Sequence, residues 1–146
     1  MNNTETKKHI SRSPEETRAL GAHLASSLRA GDVVALSGGL GAGKTALTAG
    51  ALEALGCEGP FASPTFAIVR EYEGREARCA HFDMYRISND DELYSTGFYD
   101  YLDGERILFI EWSDNIAFAL PDDVICVALS GSGEGEREIT ISGVKL

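Results

Sequence analysis

The sequence predicts a single α/β domain in which a mainly parallel sheet is flanked by helices. Two short apolar runs, Asp32–Ser37 and Ile107–Glu111, have the continuous hydrophobicity of buried parallel strands. The length of 146 residues fits one domain. We therefore expect residues 13–146 to form this domain after a polar N-terminal leader at residues 1–12.

Three helical segments are predicted. Pro14–Leu28 carries apolar residues at helical spacing, with Ser13 as its N-cap and proline at the first helical position. The Ala- and Leu-rich segment Thr45–Leu55 predicts a second helix. Asp90–Leu102 predicts short helical pieces broken at Gly97.

The remaining strands are predicted to be antiparallel. Thr65–Glu73 and Ala77–Tyr85 are rich in aromatic and branched residues on either side of Gly74, which predicts a hairpin. Val124–Leu129 and Glu138–Ile141 are joined by a Gly/Ser/Glu turn and predict a second hairpin at the C-terminus.

Composition excludes several functional classes. With 23 acidic and 13 basic residues the net charge is −10, which repels a polyanion, so any role on nucleic acid would pass through a protein partner. No apolar run approaches the roughly 20 residues that span a bilayer, and the polar start lacks a signal peptide. The sequence therefore predicts a cytoplasmic protein that does not act at a membrane.

The cysteines do not predict a disulfide framework or a zinc site. Cys57, Cys79 and Cys126 are odd in number and widely spaced, without a CxxC pair. We expect buried free thiols in a reducing compartment.

Residues 37–45, "SGGLGAGKT", match the full P-loop pattern of glycine, four residues, then Gly-Lys-Thr. The motif has the required context, because a predicted strand precedes it and a predicted helix follows. Glycines let successive N–H groups face phosphate oxygens at a helix start. The alternative is a glycine-rich turn that merely links a strand to a helix. A P-loop NTPase-like domain that binds a nucleotide together with Mg²⁺ is therefore predicted, and the loop alone does not distinguish ATP from GTP. Its phosphate-binding residues would be Gly38, Gly39, Leu40, Gly41, Ala42, Gly43, Lys44 and Thr45.

Hydrolysis also needs a carboxylate on the far side of the metal, at the end of a neighbouring strand. Glu111 ends the apolar run "ILFI" and is the better candidate, because that run resembles a central parallel strand. Asp83 is the alternative ligand, or it acts on the attacking water. His81 lies two residues before it, on the same strand face, and is either a structural histidine or a group that orients Asp83.

An ordered set of motifs resembles the TsaE family. The P-loop is followed by "SPTF" at 63–66, "HFDMYR" at 81–86, "DELYSTGFYDYL" and "FIEW" at 109–112. Members of that family are small bacterial P-loop ATPases required for the threonylcarbamoyladenosine (t6A) modification of transfer RNA. The resemblance covers nearly the whole predicted domain.

The resemblance implies roles for the residues at matching positions. Lys44 and Thr45 would do the usual work of a P-loop, and Glu111 would bind Mg²⁺ together with Thr45. Asp83 and Thr65 would line the γ-phosphate side and take part in hydrolysis. By pattern alone, the Ser-Pro-Thr segment that contains Thr65 is better explained as a turn entering a strand, and the resemblance reverses that preference.

Three further nucleotide contacts are expected. The resemblance places Trp112 near the nucleotide and Ser13 near the base. Arg137, in the C-terminal region, is also a predicted nucleotide contact.

The function implied is that of an ATPase supporting threonylcarbamoylation of adenosine 37 in tRNA through the TsaD and TsaB subunits. No arginine in the sequence is recognisable as an arginine finger. We therefore predict that the isolated protein hydrolyses ATP slowly and that partners accelerate it. Two alternatives remain: a small-molecule kinase that uses the same loop, and a nucleotide-dependent binding module that does not hydrolyse ATP.

Overall fold

A computed structural model describes residues 4–39, 43–61, 68–133 and 135–145. Strands, α-helices and 3₁₀ helices (η) alternate along this part of the chain. In order they are β1 (Thr4–Ser11), α1 (Pro14–Ala25), β2 (Val33–Ser37), α2 (Lys44–Ala54), β3 (Val69–Glu73), β4 (Arg78–Asp83), α3 (Asp90–Ser95), η1 (Phe98–Tyr101), β5 (Arg106–Glu111), η2 (Ser113–Ala119), β6 (Ile125–Gly133) and β7 (Glu136–Lys145). Within the described ranges, no helix is long and apolar enough to cross a bilayer.

The strands form one seven-stranded sheet in the order β1-β7-β6-β2-β5-β4-β3. Its four central strands, β6, β2, β5 and β4, run parallel. The edges are antiparallel, with β3 paired to β4, β7 to β6 and β1 to β7. This architecture confirms the predicted α/β class, with β2 and β5 side by side at its centre, and both predicted hairpins.

Strand β1 lies inside the segment for which the sequence predicts a polar leader. It pairs with β7 from Thr4 opposite Lys145 to Ser11 opposite Arg137, so residues 4–11 belong to the sheet. Edge strands commonly carry charged side chains on their open face. Lys8 is one of these, 3.3 Å from Glu138. Because its residues are mostly polar, a search for apolar runs does not detect this strand.

The sheet is covered differently on its two faces. Helices α1 and α2 enclose one apolar cluster, and α3, η1 and η2 enclose the other. The two helices of the first face touch through their backbones at Gly21 and Gly50. A Cβ on Gly21 would lie 1.9 Å from the Leu47 carbonyl oxygen, and one on Gly50 would lie 1.9 Å from that of Arg18. This close approach holds α2 directly against α1.

The three cysteines are free, but only two of them are buried. Cys57 and Cys79 lie in the core, in hydrogen-bond contact with each other, and burial raises the pKa of both thiols. The expectation of three buried thiols is wrong for Cys126, which is exposed on β6. Its neighbours on the same face of that strand, Ala128 and Ser130, are exposed as well.

Candidate nucleotide site

Three parallel strands end together at one edge of the sheet. Leu36 of β2 pairs with Glu111 of β5, and Glu111 pairs with Asp83 of β4. Both carboxylates thus lie at strand ends, Glu111 on the strand next to β2 and Asp83 one strand further away. Ligands of open α/β sheets bind at this carboxyl edge, so the fold brings together the two acids predicted from separate motifs.

The described part of the P-loop has the conformation expected of a phosphate cradle. Gly38 and Gly43 have φ values of 140° and 104°, in the region that favours glycine. Gly43 is the N-cap of α2 and has no side chain to cap the helix, and the start of a helix is a favourable place for an anion. Three predicted loop residues, Leu40, Gly41 and Ala42, lie outside the described residues.

Lys44 extends from the first turn of α2 back across the loop. Its Nζ donates to the Gly38 carbonyl at 2.7 Å and lies 3.9 Å from the centre of the Trp112 ring. Burial lowers the pKa of this amine, while the nearby carboxylates of Glu111, Asp83 and Asp114 act in the opposite direction. A largely buried cation therefore stands between the glycine loop and a group of acids.

Glu111 contacts two neighbouring side chains through one carboxylate oxygen. Its Oε2 lies 2.6 Å from His81 Nε2 and accepts from the Thr45 hydroxyl at 3.4 Å. His81 is 1% exposed and Glu111 4% exposed. The sequence predicted a structural role for His81 or an orientation of Asp83; in the structure the partner of its Nε2 atom is Glu111.

The donor set fits Mg²⁺ held together with a nucleotide. Thr45 and Glu111 supply a hydroxyl and a carboxylate, and Mg²⁺ is usually bound by one or two such oxygens plus phosphates and waters. In the described ranges no group of three or more His, Cys, Asp or Glu side chains converges as a metal site. The residues therefore suit a metal that arrives with phosphate rather than a cage made only of protein.

Asp83 is held by backbone groups at the end of β4. Its Oδ1 accepts from the Tyr85 N–H at 3.0 Å, and its own N–H donates to the Ile68 carbonyl at 2.8 Å. Ile68 has a φ of 66°, an unfavourable conformation for a β-branched residue. Thr65, the other residue predicted for hydrolysis, lies outside the described residues, which resume at Ile68.

Trp112 occupies a sharp turn immediately after β5. Its φ of 58° is left-handed, and its ring packs on Tyr85 with centroids 4.9 Å apart. The next residue anchors the turn, because Ser113 Oγ donates to the Leu36 carbonyl at 3.0 Å. Asn115 adds a bond to the Met84 carbonyl at 2.9 Å. The turn is thus tied to the ends of β2 and β4, and it presents the indole to Lys44.

Ser13 lies at the start of α1, on the side of the helix that meets the P-loop. Its Oγ caps the helix by accepting from the Glu16 N–H at 3.1 Å. One turn later the Thr17 hydroxyl lies 2.6 Å from that of Ser11. The Thr17 methyl group is 3.4 Å from the point where a Cβ on Gly43 would stand. The first turn of α1 therefore packs against the end of the loop.

Arg137 lies on β7, paired with Ser11 of β1 and Gly131 of β6. Its Nη1 donates to the carbonyl of the preceding residue, Glu136, at 2.8 Å. The ladder places its backbone beside Ser11, next to the first turn of α1. Its predicted contact with nucleotide stays a prediction.

Three residues near the site were absent from the sequence-based set. The Tyr85 ring packs at a tilt against Trp112, the Asp114 carboxylate favours the charged form of Lys44, and Thr17 packs against Gly43. Closeness to the His-x-Asp and Glu-Trp motifs was the only signal for the first two. Thr17 had no signal, because it lies on the apolar stripe of α1.

Comparison with known proteins gives consistent matches. The family model described as "Threonylcarbamoyl adenosine biosynthesis protein TsaE" matches residues 11–139. The TsaE protein of Bacillus subtilis (strain 168) is 38% identical over 131 residues, covering 90% of this chain and 82% of that protein. That of Treponema pallidum (strain Nichols) is 33% identical over 133 residues, covering 91% and 98%. The crystal structure of Bacillus subtilis YdiB superposes with a TM-score of 0.82 at 32% identity, covering 99% of this chain and 89% of that one.

Proposed function

Because this chain belongs to the TsaE family, we propose that it binds and hydrolyses ATP with Mg²⁺ in support of N6-threonylcarbamoylation of adenosine 37 in tRNA. The relatives are named tRNA threonylcarbamoyladenosine biosynthesis proteins, which supports the pathway. The observation that carries the ATPase activity is the convergence of Lys44, Thr45 and Glu111 at the carboxyl edge of the sheet.

Each of these three residues has a chemical role in the proposal. Lys44 leaves the Gly38 carbonyl and places its ammonium along the β- and γ-phosphates. Thr45 and Glu111 would hold the metal through a hydroxyl and a carboxylate oxygen, which lie 3.4 Å apart. The metal, when bound, neutralises charge that develops on the phosphate oxygens. The loop residues 38–43 supply backbone N–H groups to the same phosphates.

Asp83 is the proposed group that acts on the attacking water. It lies beside Glu111 in the strand register, and backbone bonds at both ends restrict its position. Thr65 is proposed to assist on the γ-phosphate side. Catalysis then consists of positioning and charge stabilisation, without a covalent intermediate.

The remaining predicted contacts serve nucleotide binding. Trp112 packs over Lys44 and would border the nucleotide once the lysine moves to phosphate. Ser13 caps the start of α1 and Arg137 lies on β7, and these two elements are neighbours on one side of the P-loop. The base or ribose would extend towards this side. ATP rather than GTP follows from the family and not from a base-reading motif.

We propose that the protein acts in the cytoplasm through the TsaD and TsaB subunits and meets tRNA only indirectly. The net charge of −10 supports this, because it disfavours direct contact with a polyanion. We expect hydrolysis by the isolated protein to be slow, because the sequence contains no recognisable arginine finger, and we expect a partner to accelerate it.

The test is Mg²⁺-dependent phosphate release from ATP, measured with and without TsaD and TsaB. Stimulation by the partners that Lys44→Ala and Glu111→Ala both abolish is the expected result. Phosphate release without an acceptor separates this activity from a small-molecule kinase and from a binding module that does not hydrolyse ATP. A rate that the partners leave unchanged would count against the proposed role.

A further inference from the structure

We propose that His81 is a positioning residue, whose Nε2–H holds the Glu111 carboxylate in the orientation that receives Mg²⁺. The inference rests on the proposed function, because it concerns the same metal. It assigns a task to a buried histidine that has no other role in the site.

The contact is short and closed to solvent. His81 Nε2 lies 2.6 Å from Glu111 Oε2, between the neighbouring parallel strands β4 and β5. The two residues are 1% and 4% exposed, so water does not compete for the bond. A carboxylate accepts and cannot donate, which requires the proton on Nε2. The His81 Nδ1 atom has no hydrogen-bond partner among the described residues, so Glu111 is the group that orients the ring.

The register explains why a histidine at this position can act on Glu111. His81 pairs in the strand register with Phe109, which lies two residues before Glu111 on the same face of β5. The imidazole therefore reaches Glu111 diagonally across the two strands. The bond restricts rotation of the carboxylate and keeps it beside Thr45, whose hydroxyl approaches the same oxygen at 3.4 Å. Such outer partners of metal ligands typically contribute 10- to 100-fold to metal affinity.

A purely structural histidine would behave differently. Its loss would lower stability and weaken nucleotide binding whether or not metal is present. Loss of a positioning residue would weaken the nucleotide affinity that depends on Mg²⁺ and would leave the affinity measured without metal unchanged.

The experiment is calorimetric titration with ADP, in Mg²⁺ and in EDTA, on the wild-type protein and two matched variants. His81→Gln can present an amide N–H near the place of Nε2, whereas His81→Asn reaches only the place of Nδ1. We expect His81→Asn to lose 10- to 100-fold of the Mg²⁺-dependent affinity, with the affinity in EDTA unchanged. His81→Gln should retain most of it.

Equal losses in Mg²⁺ and EDTA, or equal behaviour of the two variants, would overturn the inference. Wild-type protein that binds ADP without any effect of Mg²⁺ would instead reject the metal site in the proposed function. Should His81→Asn fail to fold, ¹⁵N NMR of the wild-type imidazole decides. A proton on Nε2 is expected, and an unprotonated Nε2 would exclude the bond to Glu111.

Discussion

The Thr45 hydroxyl donates to Glu111 Oε2 over 3.4 Å, although 66 positions separate the two residues in the chain. Thr45 is in the first turn of the helix that follows β2, and Glu111 is the last residue of β5. Because these strands are parallel neighbours, their ends and the groups that follow them share one edge of the sheet. The pair is the part of the site on which the proposed chemistry depends most directly.

Loss of the P-loop lysine should weaken nucleotide binding. Lys44→Ala removes the charged hydrogen bond that is proposed to reach phosphate and that contributes about 1.5–3 kcal/mol, so the affinity for ATP should fall roughly ten- to hundredfold. Equilibrium titration measures this directly. Lys7→Ala, at an exposed lysine on β1, is the matched control and should bind ATP as the wild type does. Equal affinities for all three proteins would contradict the assignment of Lys44.

Variants of the two carboxylates, Glu111 and Asp83, should differ in how their turnover depends on Mg²⁺. Glu111→Gln keeps the shape of the side chain but removes its charge, so Mg²⁺ affinity and turnover should both fall, turnover by about 10²- to 10³-fold. Asp83→Asn should lower turnover by about 10²- to 10⁴-fold while the Mg²⁺ dependence stays the same. Phosphate release measured across Mg²⁺ concentrations distinguishes them, with exposed Glu105→Gln as the control. The reverse pattern would exchange the two roles.

Trp112 should report nucleotide binding through its fluorescence. It is the single tryptophan in the chain, and the Lys44 ammonium lies 3.9 Å from its ring centre. Binding of ATP should draw the lysine towards phosphate and change the emission. The Lys44→Ala protein should show no comparable change even at saturating ATP. A full response in that variant would mean that another group causes it.

The contact between α1 and α2 should not tolerate a side chain at Gly50. Alanine favours a helix by about 1 kcal/mol over glycine, but its Cβ would stand 1.9 Å from the Arg18 carbonyl oxygen. Overpacking of this kind costs about 1–3 kcal/mol, so Gly50→Ala should lower the melting temperature by roughly 2–12 °C. Gly131→Ala meets no atom within 4 Å and should melt close to the wild type. Unchanged stability of Gly50→Ala would show that the helices can separate at no cost.

Thiol reactivity should divide the three cysteines. Cys126 is exposed, whereas burial raises the pKa of Cys57 and Cys79 and suppresses their reactive thiolate. At pH 8 the folded protein should therefore react rapidly with Ellman's reagent at one thiol, and the unfolded protein at three. Cys126→Ser should remove the fast phase. Rapid reaction of a second thiol in the native protein would contradict the buried environment of the pair.

Local sequence signals predicted most of the elements of this fold. The Ser13 cap with Pro14 placed the start of α1, and the apolar runs before Ser37 and Glu111 located β2 and β5. These signals succeed because capping and strand burial depend on residues close in the chain. Strand β1 was not predicted, because it is an edge strand that needs no apolar pattern of its own. It is stabilised by pairing with β7, whose nearest paired residue, Arg137, is 126 positions from Ser11.

For the site, the sequence by itself determined the chemistry available: a glycine loop with Lys44 and Thr45, and two acids that each end a strand. Loop, helix start and strand ends are local features, and local patterns encode them. Only the tertiary structure decided that His81 contacts Glu111, that Lys44 lies over Trp112 and that Thr17 packs against Gly43. These pairs depend on strand order, register and helix packing, which are set by the burial of the whole core and not by any short stretch of residues.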